Sequence, residues 1–309
     1  MSLVKLVLWG ALAAAMAAGQ SSSQLAESGH CREALPLLKA DLAKAAAADR
    51  RKRLGVDGVR CGMTLDDMDA TLYFLGGLNK SFAGDAEVLY LSTHVFSDLS
   101  IRASQKLMRA APSSYQVHEL NAEALETQGK WSDAEAEYRE VLKRDPQLPG
   151  MHYRIARLLL SGPPGATTNA DAKAGARREL EEELNIDPNN AGAEYVLGEL
   201  ARQDGKEQVA VDHFSRAAKL DAGFVDAFIG LGRTLLAGDR AAEAIAPLET
   251  AVKLDPDSPI AHFNLATAYS RAGRKEDAAR EFDRLKQVSE KLKQTKQQVR
   301  EGINAAPPQ

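Results

Sequence analysis

Aromatic residues are scarce in this chain, at 6% of 309 positions, and there are only two cysteines. Strands draw on aromatic and β-branched side chains, so their scarcity beside abundant Ala, Leu, Glu, Arg and Lys points to helices. A formal net charge of −4 excludes the domain-wide basic face of a dedicated nucleic-acid binder. Gly-x-Ser-x-Gly, a Walker phosphate loop and His-Glu-x-x-His are all missing, so nucleophilic, nucleotide and zinc-protease chemistry lack their usual carriers. The six histidines (His30, His94, His118, His152, His213 and His262) never pair at a spacing of three or four, and the two cysteines lie thirty residues apart. Neither arrangement is that of metal ligands. The sequence therefore predicts no metal, no cofactor and no enzyme.

Long apolar runs are also absent. The one candidate, Leu6 to Ala18, holds about thirteen apolar residues, whereas a bilayer span takes roughly twenty. Lys5 precedes it, and small residues follow at Ala15, Ala17 and Gly19 with the spacing a signal peptidase reads. Residues 1–19 thus read as a signal peptide, cut after Ala17 or Gly19, and place the protein in the periplasm or outside the cell. No cysteine stands directly after the small residues, so a lipoprotein anchor is not indicated. Both cysteines, Cys31 and Cys61, lie near the mature N-terminus, where an oxidising compartment favours one disulfide. Closing such a loop stabilises by about 3.5 kcal/mol in the chain-entropy account. The alternative is two separate buried thiols.

What the chain has in quantity is self-similarity. Small residues recur at Ala122, Ala156, Gly198, Gly232 and Ala266, and again at Ala134, Ala176, Ala210, Ala244 and Ala278. Larger apolar residues follow at Tyr138, Leu180, Phe214, Leu248 and Phe282. Pro146, Pro188 and Pro256 close the units, with Ala222 where a fourth proline would fall. Every interval is 34 residues except one of 42 in each series, and the segment from Ser161 to Asn169 supplies the extra eight. Each unit holds two helical patterns. A Gly or Ala lets two helix backbones approach, and a bulky residue opposite fills the space. The Asp-Pro pairs end the second helix, because the residue before proline avoids the helical region.

These units resemble tetratricopeptide repeats, the 34-residue helix–turn–helix family. Leu197-Gly198, Ala210, Phe214 and Ala217 carry the resemblance, as do Leu231-Gly232, Ala244 and Ala251, and Leu265-Ala266, Tyr269, Ala278 and Phe282. It implies an all-α solenoid of stacked hairpins wound into a right-handed superhelix. Five repeats occupy 115–285, with the insertion at about 161–172. Residues 20–114 read as degenerate hairpins of the same kind, 286–300 as a polar capping helix and 301–309 as a disordered tail. Pro247, inside a second helix, is expected to kink it or shorten its start.

In this family the first helices line a concave groove. The resemblance nominates Tyr153, Tyr195, Ile229 and Phe263 at one place in successive repeats, and Arg157, Glu199, Arg233 and Thr267 one turn on. Arg154, Arg202, Asn264 and Arg271 are their neighbours. An apolar stripe edged with charge suits a protein or peptide partner. An envelope polysaccharide stacking on the aromatic residues is the alternative. The carboxylate-gripping version of the fold is not expected, since Glu119, Glu123 and Val196 stand in its places. His118, His152 and His262 share one register and are expected to pack between helices. The run Arg50-Arg51-Lys52-Arg53 is read as the basic C-terminal end of an Ala-rich helix.

Overall fold

A computed structural model describes residues 20–161 and 169–305. The expected signal peptide, most of the inserted turn and the last four residues lie outside these. The described residues are all-α with no strand, and the chain divides into two compact units, Met1–Pro112 and Ser113–Gln309.

The first unit is built from α1 (Ser22–Glu27), α2 (Cys31–Lys44), α3 (Ala48–Thr64), α4 (Met68–Ser81) and α5 (Ala86–Ala110). Its core gathers Leu25, Leu38, Leu54, Val59, Phe74, Leu78 and Val95. Cys31 and Cys61 are joined, linking α2 to α3. Three glycines of α3 face α4: a β-carbon on Gly58 would stand 2.3 Å from the Phe74 ring, one on Gly55 2.7 Å from Leu78 and one on Gly62 2.5 Å from Thr71. The basic run is placed differently from the sequence reading. Helix α2 stops at Lys44, so Arg50 to Arg53 fall in the opening turns of α3, the end where cations are disfavoured. Asp49 offsets this, and Lys52 bridges Asp85 and Glu87, each at 2.8 Å.

The second unit stacks five hairpins. Their first helices are α6 (Tyr115–Thr127), α8 (Met151–Ser161), α10 (Ala191–Gln203), α12 (Val225–Ala237) and α14 (Pro259–Arg271). Their second helices are α7 (Trp131–Arg144), α9 (Asn169–Ile186), α11 (Glu207–Leu220), α13 (Ala241–Leu254) and α15 (Lys275–Ala305). The small residues do what their spacing implies: a β-carbon on Gly198 would stand 2.9 Å from Phe214, and one on Gly232 2.4 Å from Leu248. Four second helices end in one turn, with the carboxylates of Asp145, Asp187, Asp221 and Asp255 each accepting the N–H two residues on. Asp221 does so without a proline after it. Between first and second helices the chain needs a left-handed residue. Gly129, Gly205 and Gly273 supply it, but in the fourth hairpin Asp239 takes φ 55°.

Two sequence expectations are corrected. Of the two effects expected of Pro247, a kink or a shortened start, the second is overturned, since its helix runs whole from Ala241 to Leu254. Nor do residues 286–300 form a separate cap: they continue α15, which starts at Lys275 and reaches Ala305, into the stretch expected to be a disordered tail.

Within the hairpins, polar braces join first helix to second at one register. Nδ1 of His118, His152 and His262 lies 2.6 Å from a carboxylate oxygen of Glu137, Glu179 and Glu281, respectively. In the third hairpin the pair is exchanged, with Glu194 on the first helix and His213 on the second, again at 2.6 Å. Phe228 and Pro247 stand at the same places in the fourth. Glu183, wholly buried, is held otherwise: it accepts the N–H groups of Gly150 and Tyr153 at the start of α8 and a bond from the Asn190 side chain. Backbone donors at a helix start suit a carboxylate.

Candidate functional site

The nominated residues separate by what they touch. Tyr153, Tyr195 and Ile229 pack on the hairpin that follows their own. A β-carbon on Gly192 would stand 2.9 Å from the Tyr153 hydroxyl. Tyr195 leans on Phe224 with 5.0 Å between ring centroids, and Ile229 is buried with Ala261. Phe263 occupies that place in the fifth hairpin, which no further hairpin follows among the described residues, and is 52% exposed.

A second group is tied up by neighbours. Arg154 reaches Glu123 at 3.1 Å and donates to the Tyr138 hydroxyl at 3.0 Å. Tyr138 in turn donates to Glu126 at 2.6 Å. Burial and that bond push the Tyr138 hydroxyl well above its ordinary range, so it remains a donor. Glu199 and Arg202 pair at 2.7 Å. Asn264 is buried and donates to the Ile260 carbonyl, Thr267 donates to the Phe263 carbonyl, and Arg271 donates to the Leu236 carbonyl.

Arg157 and Arg233 form the third group. Both are exposed, and neither has a carboxylate within ion-pair range among the described residues. Arg157 lies over the Tyr153 ring at 5.9 Å. The carboxylates at the same place in other hairpins, Glu123 and Glu199, are neutralised by Arg154 and Arg202. Uncompensated charge along this register is therefore positive. Beside Arg157 a cleft of about 430 Å³ opens between α6 and α8, lined by Glu123, Glu126, Trp131, Arg154 and Leu158.

Elsewhere, burial raises the Glu194 carboxyl, but bonds from His213 and Arg216 outweigh it and hold the group below its usual range. The brace residues were missed as pairs because each histidine was read alone. A usable signal was present, since His118–Glu137, Glu194–His213 and His262–Glu281 share a spacing of 19. Among the described residues no group of three or more His, Cys, Asp or Glu could hold a metal, and no helix is long and apolar enough to cross a membrane.

The tetratricopeptide repeat family matches residues 98–163 and 229–290. This chain carries tetratricopeptide repeats. Two solved structures agree on the fold. The crystal structure of MamA protein is 22% identical over 58% of this chain and 94% of its own, with a TM-score of 0.50. The MamA RS-1 ArsTM double mutant is 16% identical over 58% of this chain and 96% of its own, also at 0.50. YrrB, described as a TPR protein with an unusual peptide-binding site, is 18% identical over 60% of this chain and 92% of its own, at 0.49. No curated protein matches the chain. The repeat array is thus an α-solenoid of the tetratricopeptide kind, with exposed Arg157 and Arg233 on its first helices.

Proposed function

We propose that this protein is a non-catalytic scaffold of the bacterial cell envelope that holds a protein or peptide partner on the first-helix face of its repeats. The observation that carries this reading is the pair of exposed, uncompensated arginines, Arg157 and Arg233, on either side of the self-neutralised Glu199–Arg202 pair. Guanidinium groups left without partners in the free protein are donors available to a ligand carboxylate. The Cys31–Cys61 disulfide supports an oxidising compartment, as does the apolar N-terminal run of the sequence.

The test compares wild type with Arg157→Glu/Arg233→Glu in a pull-down from the envelope fraction, followed by reconstitution with the purified partner. Tyr153, Tyr195 and Ile229 are left intact because they seal hairpin to hairpin. A partner retained by wild type and lost by the variant supports the face as the site. Retention by both contradicts it. The cleft beside Trp131 supports a second reading, in which a sugar ring stacks on the indole with Glu126 and Arg157 within reach of its hydroxyls. A change in Trp131 fluorescence on adding envelope oligosaccharide, without any retained protein, would favour it.

A further inference from the structure

Each of the first four hairpins is sealed by the next, and among the described residues nothing seals the fifth. The bulky residue of the second helix is fully buried in the first four hairpins, at Tyr138, Leu180, Phe214 and Leu248. Part of that cover comes from the following hairpin: the Arg154 guanidinium lies 5.6 Å over the Tyr138 ring, and Gly230 lies against Phe214. In the fifth hairpin the equivalent Phe282 is 43% exposed, and Phe263 is open for the same reason. The first helix of a sixth hairpin is what would cover them.

Helix α15 then runs on past the stack. Val288 is its last buried residue, and every described residue from 290 to 301 is exposed. Leu292 and Val299, 39% and 58% exposed, continue at a spacing of seven the stripe that begins with Leu285. Helical stability in proteins comes mostly from packing an apolar face, and no residue from 290 to 301 is buried, so this stripe gains from a partner. The flanks are basic: Lys286, Lys291, Lys293, Lys296 and Arg300 outnumber Glu290 and Glu301 between 286 and 301. Lys291 is paired with Asp257 at 2.7 Å and Lys293 lies 3.9 Å from Glu290, while Lys286, Lys296 and Arg300 have no carboxylate in range among the described residues.

We infer that the open end of the array and the α15 extension bind an acidic amphipathic helix of a partner protein, seated where a sixth hairpin would begin. Charge selects the occupant. Two copies of α15 would place like charges together, and α5, which exposes Tyr90 and Ile101, carries Arg102, Lys106 and Arg109 against Glu87 and Asp98 and so offers no acidic face. A membrane surface is disfavoured because the extension presents a narrow seam without aromatic residues, whereas interfacial helices show a broad apolar face.

The probe is a labelled 21-residue helical peptide with leucines at alternating spacings of three and four and glutamates on its flanks. Its twin has lysines for the glutamates. Anisotropy with the purified protein should show the acidic peptide binding at least about tenfold tighter than its twin, and more weakly at high salt. Lys296→Glu/Arg300→Glu should reverse that preference, and Phe263→Ala/Phe282→Ala should weaken binding with helicity unchanged. Equal affinity for both peptides would overturn the proposal, as would acidic-peptide binding unaffected by the charge reversal. So would a dimer in light scattering that Phe282→Ala dissolves, or sedimentation with anionic phosphatidylglycerol vesicles in place of peptide binding.

Discussion

Gly58 and Gly230 perform the same task in different settings. In the first unit, Gly58 admits Phe74 within a single helix pair, α3 against α4, in a core linked by one disulfide. In the second, Gly230 admits Phe214 at a boundary that recurs with the period. A singular contact has no substitute, so the first unit depends on particular residues and its covalent link. A recurring contact is one of several similar ones, and each hairpin depends chiefly on its neighbours.

Removing the link should break the comparison most visibly. Cys31→Ser/Cys61→Ser should cost about 3.5 kcal/mol, read as a lower denaturant midpoint for the first unit. Reductant should do the same to wild type and nothing to the variant. Next in size, Gly230→Val should cost about 2 kcal/mol by overpacking Phe214. Hydrogen exchange should quicken in α11 and α12 while α6 and α7 keep their protection. Equal loss along all ten helices would show that the array does not behave as a chain of neighbours.

A smaller effect sharpens the contrast among hairpins. Glu194 has a folded pKa below its unfolded one, so its contribution is complete above the usual carboxylate range and fades as pH falls towards the lowered value. Glu194→Gln should therefore lose stability at neutral pH and show a shallower decline than wild type on acidification, measured as melting temperature against pH. The smallest expected change is a gain. Asp239→Gly relieves the only left-handed non-glycine turn among the described hairpins of the array and should stabilise by roughly 0.5–1 kcal/mol, read from chemical denaturation.

The period, the helix pairs and the small-against-large contacts were legible because each is stated five times in the sequence. Four series broken at one point fix where the hairpins begin. Singular facts were less accessible. That Glu183 caps α8 could be suspected only from a carboxylate where Ala217 and Ala251 stand in later hairpins, and no local pattern names its partners. The basic run was misplaced because Ala45, Ala46 and Ala47 favour helix by composition, yet the chain turns there before α3 begins. For the site, the register was readable but the state of each residue was not. Tyr195 and Phe263 look equivalent in sequence and differ because one has a hairpin after it. The exposure of Phe282 follows from where the array stops, a property of the whole stack.

The central claim is that each hairpin is closed by the one after it and that the last awaits a partner. Fluorine NMR of the 4-fluorophenylalanine-labelled protein tests this most directly, through the solvent isotope shift of each assigned ring in H₂O against D₂O. The account predicts a clear shift at Phe263 and Phe282, none at Phe214, and loss of the first two when the acidic helical peptide is added. No shift at Phe282 in the protein alone would contradict it.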